Sequence, residues 1–317
     1  MEFPNAILSE LTIGEPMTGD AVTIFPILGP AKADVDLVDL DEALAHGWVR
    51  VSEMSESGRV PELRVVNESP HRIILFDGEE LVGAKQNRIV NVTIIVAAFS
   101  KLTIPVSCVE QGRWRWRSRH FASGEFLYPS LRRNKFAQVS QNLRRRRGFQ
   151  AEQGRIWEDI AAKSARMGVL SETGSMRDLG NHYFVDDREI RQQIEHQPGQ
   201  VGYLAFVRGG FAGGDVFGSS SISERKFYKL VRGYYLDSLD PETAFPPMET
   251  AGLLERIASI GVEPVESLGE GRELRFQDDG IQGSLTLVGE GMAHLAVFPA
   301  AEEETTGRPR ERRFRVD

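Results

Sequence analysis

"GYLAFVRGGFAGGDVFG", residues 202–218, is the stretch that decides how this chain is read. Its glycines suggest a loop that cradles a phosphate. The spacing does not fit: neither G-x-G-x-x-G nor a P-loop ending in Lys-Ser/Thr is present. Apolar residues flank Arg208-Gly209-Gly210 on both sides, which fits strand, turn, strand. The pattern then returns further along. Gly202, Leu204, Val207, Gly210, Ala212 and Phe217 match Gly283, Leu285, Val288, Gly291, Ala293 and Phe298 at a constant offset of 81. The second copy has fewer glycines but the same alternation, so both copies read as β-hairpins in which Gly supplies positive φ at the turn.

Between and around the copies the last third is α+β. "SERKFYKLVRGYYLDSL" (223–239) is a helix that buries Phe227, Leu230, Val231 and Tyr234, and "METAGLLERIASIG" (248–261) is another. The first third reads as β-sheet: 21–28, 62–67, 71–76, 88–96 and 101–110 are β-branched runs separated by Gly, Pro, Asn and Ser. Pro61, Pro70 and Pro105 mark strand ends or edges, and 38–48 is a short helix or a loop. The middle is helical. Ile156, Trp157, Ile160, Ala161 and Ser164 recur at helical spacing, with Gly168 as a stop. A second helix is expected over 186–197, capped by Asp186 and ended by Pro198-Gly199.

The fold class is therefore α+β: an N-terminal β-sandwich-like sheet, a helical middle layer and a C-terminal α+β half with β-hairpins. No linker-like stretch interrupts 20–300, so one compact unit is expected. It would comprise a β-rich part (20–115), a basic and helical part (116–200) and a hairpin part (201–300). Residues 1–20 form a lead-in and 301–317 a mobile charged tail.

Of the 317 residues, 41% are hydrophobic and 26% charged, the balance of a soluble globular protein. No apolar run is long enough to span a membrane and the N-terminus does not resemble a signal peptide. A cytoplasmic protein is expected. Cys108 is the single cysteine, which excludes an intrachain disulfide and cysteine-rich zinc sites. The six histidines show no tight ligand spacing, which argues against zinc. Charge is uneven. Residues 113–147 hold eleven Lys or Arg against the single acid Glu125, a balance of +10, so the rest of this −8 chain carries −18.

Three strings carry a resemblance. "LFDGEELVGAKQNRIVN" (75–91), "IPVSCVEQGRW" (104–114) and the hairpin string, in this order, resemble the ADP-ribosylglycohydrolase- and rhodanese-phosphatase-associated protein domain family, an uncharacterised prokaryotic family. The resemblance covers most of 20–300, and its first two strings are the specific ones. It implies a setting in NAD, ADP-ribose or phosphoester processing. It supplies no catalytic residues.

The site is therefore argued from chemistry. Asp77-Gly78 is a turn, after which alternation places Glu79 and Glu80 on opposite faces, one toward solvent. Lys85, Gln86, Asn87 and Arg88 could guard a strand edge. They also suit a phosphorylated sugar, with Lys85 and Arg88 neutralising phosphates and Gln86 and Asn87 orienting the sugar. Glu80 or Glu110 would be a general base, or the two could hold Mg²⁺ with a substrate pyrophosphate. Arg113 can pair with phosphate and Trp114 can stack on a base. Cys108, in an apolar strand, reads as a small buried hydrophobe rather than a nucleophile. The expected partner is a small phosphorylated nucleotide or ADP-ribose-like ligand, bound by an enzyme or binding protein. The alternative is a non-catalytic module that binds nucleic acid or a protein through 113–147, where Arg alternates with aromatics and four arginines follow.

Overall fold

The computed structural model describes residues 3–4, 7–31, 33, 36–55 and 61–301. The expected tail lies outside them from residue 302 onward. Eighteen strands and seven helices occur among the described residues. In chain order, β1 (Thr12–Ile13), β2 (Met17–Gly19), β3 (Val22–Leu28) and β4 (Leu37–Asp39) lead into α1 (Leu40–Ala45). There follow β5 (Val49–Glu53), β6 (Glu62–Asn67), β7 (Arg72–Leu75), β8 (Glu79–Gly83), β9 (Arg88–Val90), β10 (Ile94–Val96), β11 (Lys101–Cys108) and β12 (Phe121–Phe126). Four helices come next: α2 (Pro129–Arg144), α3 (Gln153–Arg166), α4 (Met176–His182) and α5 (Asp187–Arg191). The chain closes with β13 (Gln200–Val207), β14 (Gly210–Phe217), α6 (Ser220–Ser238), α7 (Leu253–Ser259), β15 (Val262–Val265), β16 (Arg272–Gln277), β17 (Ile281–Val288) and β18 (Gly291–Pro299). No helix among the described residues is long and apolar enough to cross a membrane.

The two copies of the repeat are β13–β14 and β17–β18, each a two-residue hairpin. Arg208 and Gly209 both have positive φ, as a type I′ turn demands; in the second turn Gly289 is positive and Glu290 is not, the II′ pattern. The copies pair with each other through β14 and β18. Asp215 faces Ala296, Gly214 faces Val297 and Val216 faces Leu295. An offset of 81 carries Asp215 onto Ala296, so a local two-fold axis passes through that one pair. The glycines obey the same symmetry. A Cβ on Gly202 would lie 2.4 Å from the carbonyl oxygen of Asp215, and one on Gly283 would lie 2.4 Å from that of Ala296.

The outer neighbours extend the symmetry: β3 pairs β13 as β16 pairs β17. The result is a nine-stranded antiparallel sheet, ordered β1-β3-β13-β14-β18-β17-β16-β15 with β2 beside β3. Alternate residues build two cores. Tyr203, Ala205 and Val207 pack under Phe227, Val231 and Tyr234 of α6, while Leu204, Phe206 and Val297 meet Leu254 and Ile257 of α7. Phe3, Ile7, Leu8 and Leu11 of the lead-in belong to the second core.

This arrangement revises where the first third belongs. The strand at 22–28 forms as read, yet it joins the hairpin sheet and not the sheet of 62–108. Everything between β3 and β13 is an insertion into the first repeat, whereas the matching link in the second repeat is the turn Asp278–Gly280. The inserted unit holds a six-stranded sheet (β12-β8-β9-β11-β6-β5) and a three-stranded one (β10-β7-β4). They share one core, with Val65, Ile104 and Val106 from the first and Ile73, Leu75 and Val96 from the second, so the sandwich-like expectation fits. The apolar run 88–96 serves both sheets: it breaks at Asn91–Thr93, and β9 and β10 lie in different sheets.

Candidate functional site

The specific polar string folds as the connection from β8 to β9. Gly83 and Ala84 take positive φ there, and Asn87 closes the turn by accepting the Gly83 N–H on Oδ1 at 3.1 Å. Arg113 locks the turn from outside. Its guanidinium donates to the carbonyls of Ala84 (2.8 Å) and Gly83 (3.2 Å) and to Asn87 Oδ1 (3.1 Å). The same guanidinium pairs with Glu110 at 2.7 Å. Glu110 also accepts the Asn87 N–H (3.1 Å) and the Thr173 hydroxyl (3.2 Å). Burial alone would raise its pKa; the bonds from Arg113 and Asn87 outweigh burial and hold the carboxyl below its ordinary value.

Glu110 therefore stands ionised on the wall of a cavity of about 450 Å³. Asn87, Arg113, Arg115, Arg117, Thr173, Ser175, Arg177, Asp178 and Asn181 line it with Glu110, Leu170 and Glu172. The segment after α3 is brought in by backbone pairing: Gly112 N–H donates to Thr173 O at 2.7 Å, and Met176 N–H to Val109 O at 2.9 Å. "RWRWR" resolves by alternation. Arg113, Arg115 and Arg117 face the cavity, while Trp114 and Trp116 hold the Lys85 ammonium 5.3 and 5.2 Å from their ring centroids. Arg113 is spent on Glu110 and the turn, and Arg177 pairs with Glu80 at 3.0 Å. The exposed side chains of Arg115 and Arg117 have no carboxylate partner among the described residues.

Of the nine residues singled out in the sequence, Asn87, Glu110 and Arg113 line this cavity; the other six do not. Glu79 and Glu80 are both buried, so neither faces solvent as alternation suggested. Strand β8 lies between β9 and β12, and Lys226 of α6 reaches Glu79 at its start. Glu79 binds Lys226 at 2.7 Å, and Lys226 also meets Asp39 and Asp41. Glu80 receives the Glu125 N–H (3.3 Å) and Arg177, while its Oε1 finds no partner. Burial, only partly offset by Arg177, pushes its pKa up to about 7. The cations beside Glu79, Glu80 and Glu110 are thus Lys226, Arg177 and Arg113 respectively. Gln86 is a structural clamp: its amide donates to Glu110 O at 2.8 Å, and its carbonyl accepts from Arg88 (2.7 Å) and from the Cys108 thiol (3.0 Å). Arg88 is fully buried, with Glu53 at 3.8 Å. Cys108 is buried as expected, and burial raises its thiol pKa against the pull of Arg88. Among the described residues no cluster of three or more His, Cys, Asp or Glu is placed to hold a metal.

The sequence reading missed Arg115, Arg117, Arg177, Asp178 and Asn181. The arginine alternation was visible in the string. A Ser-x-x-Asp cap at Ser175–Asp178 also announced α4, whose Ser175 accepts the Arg177 N–H. Nothing local tells that this helix returns to Glu110.

A second polar cluster ties the inserted unit to the hairpin sheet. At the local dyad Asp215 binds Arg132 of α2 through two bonds (2.8 and 2.7 Å), the Tyr203 hydroxyl (2.7 Å) and His294 Nε2 (3.0 Å). Arg132 continues to Asp77 at 3.1 Å, which also pairs with Lys135. His294 Nδ1 meets Thr93, whose oxygen accepts the Asp77 N–H. Every member is buried, so this is a closed network rather than a site open to ligand.

The molecule so defined is an α+β protein whose duplicated hairpin sheet carries an inserted β-rich unit, and that unit presents the polar cavity. The chain belongs to the ARG and Rhodanese-Phosphatase-superfamily-associated Protein domain family, whose model matches residues 10–298. Searches of curated proteins and of solved structures returned no significant match.

Proposed function

We propose that the cavity binds a small phosphorylated sugar of the ADP-ribose or nucleotide-phosphoester class. The observation that carries this reading is the pair Arg115 and Arg117 on the lining. Two guanidiniums without a carboxylate partner are suited to bidentate capture of phosphate oxygens. Asn87, Thr173 and Asn181 supply directional hydrogen bonds for a sugar. Glu110, kept ionised by Arg113, is an acceptor for a sugar hydroxyl and the carboxylate best placed to act as a base. The family's association with ARG and rhodanese-phosphatase superfamily proteins supports the same chemistry.

The nucleic-acid reading receives less support. Within 113–147 Arg132 and Lys135 are buried in ion pairs, so the basic balance does not form one exposed ridge. Titration calorimetry with ribose 5-phosphate and ADP-ribose tests the proposal. Replacing Arg115 and Arg117 by Ala should weaken both ligands about tenfold or more, with the loss shrinking at high salt. Absence of binding, or binding indifferent to both arginines, defeats it.

A further inference from the structure

We propose that the ligand is a nucleoside diphosphate or a sugar derivative of one, with its nucleoside half in a second cavity adjoining the first. This rests on the phosphosugar reading above and extends it. The second cavity is a shallow depression, largely open to solvent, lined by Gly168, Val169, Leu170, Asp178, Asn181 and His182. Leu170, Asp178 and Asn181 line both cavities, which makes them one cleft.

The chemistry of the cleft changes along its length. Arg115 and Arg117 belong to the first cavity alone. The carboxylate of Asp178 and the amide of Asn181 stand at the junction. Val169 and His182 belong to the second cavity alone. A nucleotide presents the same order: an anion, then a ribose whose vicinal hydroxyls donate to a carboxylate and an amide, then a flat heteroaromatic ring. Leu170 is 98% exposed, the most open large apolar side chain among the described residues. It does no work in a core, and a base laid against it would remove apolar area from water. A phosphosugar alone would leave Leu170 and His182 uncovered.

One short segment builds both halves of the cleft. Residues 168–174 run between Gly168 and Gly174, both at positive φ (69° and 59°), and carry Val169 and Leu170 at one end and Thr173 at the other. The Thr173 carbonyl is fastened to Gly112, and the Ser171 hydroxyl donates to Asp178 at 2.5 Å. The junction carboxylate is thereby held in place before ligand arrives.

Calorimetry at one salt concentration would compare ribose 5-phosphate, ADP and 2′,3′-dideoxy-ADP. ADP should bind about tenfold more tightly than ribose 5-phosphate, the scale of one stacked base. Binding of ADP with ribose 5-phosphate too weak to measure also supports the inference. Leu170→Ala and His182→Ala should cost ADP severalfold more than they cost ribose 5-phosphate. Asp178→Asn should narrow the gap between ADP and its dideoxy analogue. ADP no tighter than ribose 5-phosphate, or variants that weaken both alike, overturns the nucleoside site and leaves the phosphosugar reading standing. Failure of both ligands to bind overturns both.

Discussion

Glu80 shows how one side chain can carry a pH dependence. In the folded protein its pKa is about 7, against an ordinary 4.5, because burial outweighs the Arg177 partner. The native state therefore keeps a proton that the unfolded chain releases. Stability falls as pH rises from 4.5 to about 7, and the loss is complete above that window. Glu80→Gln removes the titration. At pH 8 this variant should be more stable than the wild type by about 2–3 kcal/mol, and the gap should close near pH 4.5. Urea midpoints at the two pH values decide the matter; a wild type that is the more stable at pH 8 would mean that the Arg177 ion pair dominates. At this scale the sequence was half legible. The polar string 85–88 supplies Asn87 to the cavity, yet Gln86 and Arg88 turn inward to clamp Cys108 and the Glu110 backbone. Side-chain chemistry alone does not distinguish a residue that meets a ligand from one that meets its own backbone.

Among the elements, α1 depends most on its surroundings. Six residues are too few to be stable alone. Asp39 caps the helix by accepting the Asp41 and Glu42 N–H groups, and Lys226 of α6 binds both Asp39 and Asp41. Lys226→Met would leave Asp39 and Glu79 buried without that cation. The expected cost is about 3–5 kcal/mol, together with faster hydrogen exchange over 40–45. Unchanged exchange in α1 would show that Lys226 does not hold it. The periodic helices were legible. Helix α3 ends beside Gly168 at positive φ, and Asp186 caps α5 as its sequence announced. Helix α5 nevertheless stops at Arg191 rather than near 197. Ile190 and Ile194 both lie in the core under α6, and the turns that follow α5 keep a bond from the Ile194 N–H to the Ile190 carbonyl before the chain leaves the helical path.

For the molecule as a whole, the dyad cluster is the joint between the inserted unit and the hairpin sheet. Arg132→Ala removes the shared partner of Asp215 and Asp77, both buried, and should lower the unfolding free energy by about 3–5 kcal/mol. A loss below about 1 kcal/mol would show that His294, Tyr203 and Lys135 suffice without it. The offset of 81 was readable from matched glycines. The insertion was not, because the partner of 22–28 lies beyond the whole inserted unit and strand pairing at that distance leaves no periodic trace. The same topology has a consequence for how the chain is made. Strands β16 to β18 leave the ribosome in succession, each followed at once by its neighbour. Strand β3, a β-branched apolar segment, must wait for residues 200–207 before its longest partner exists. Closing so distant a pair is slow, and until it closes the strand is an open template for other chains. Pulse-labelled hydrogen exchange during refolding should protect 281–299 before 22–28. The reverse order would mean that the first repeat nucleates the sheet; the expected order makes one of the first strands on the nascent chain the last to be safe from aggregation.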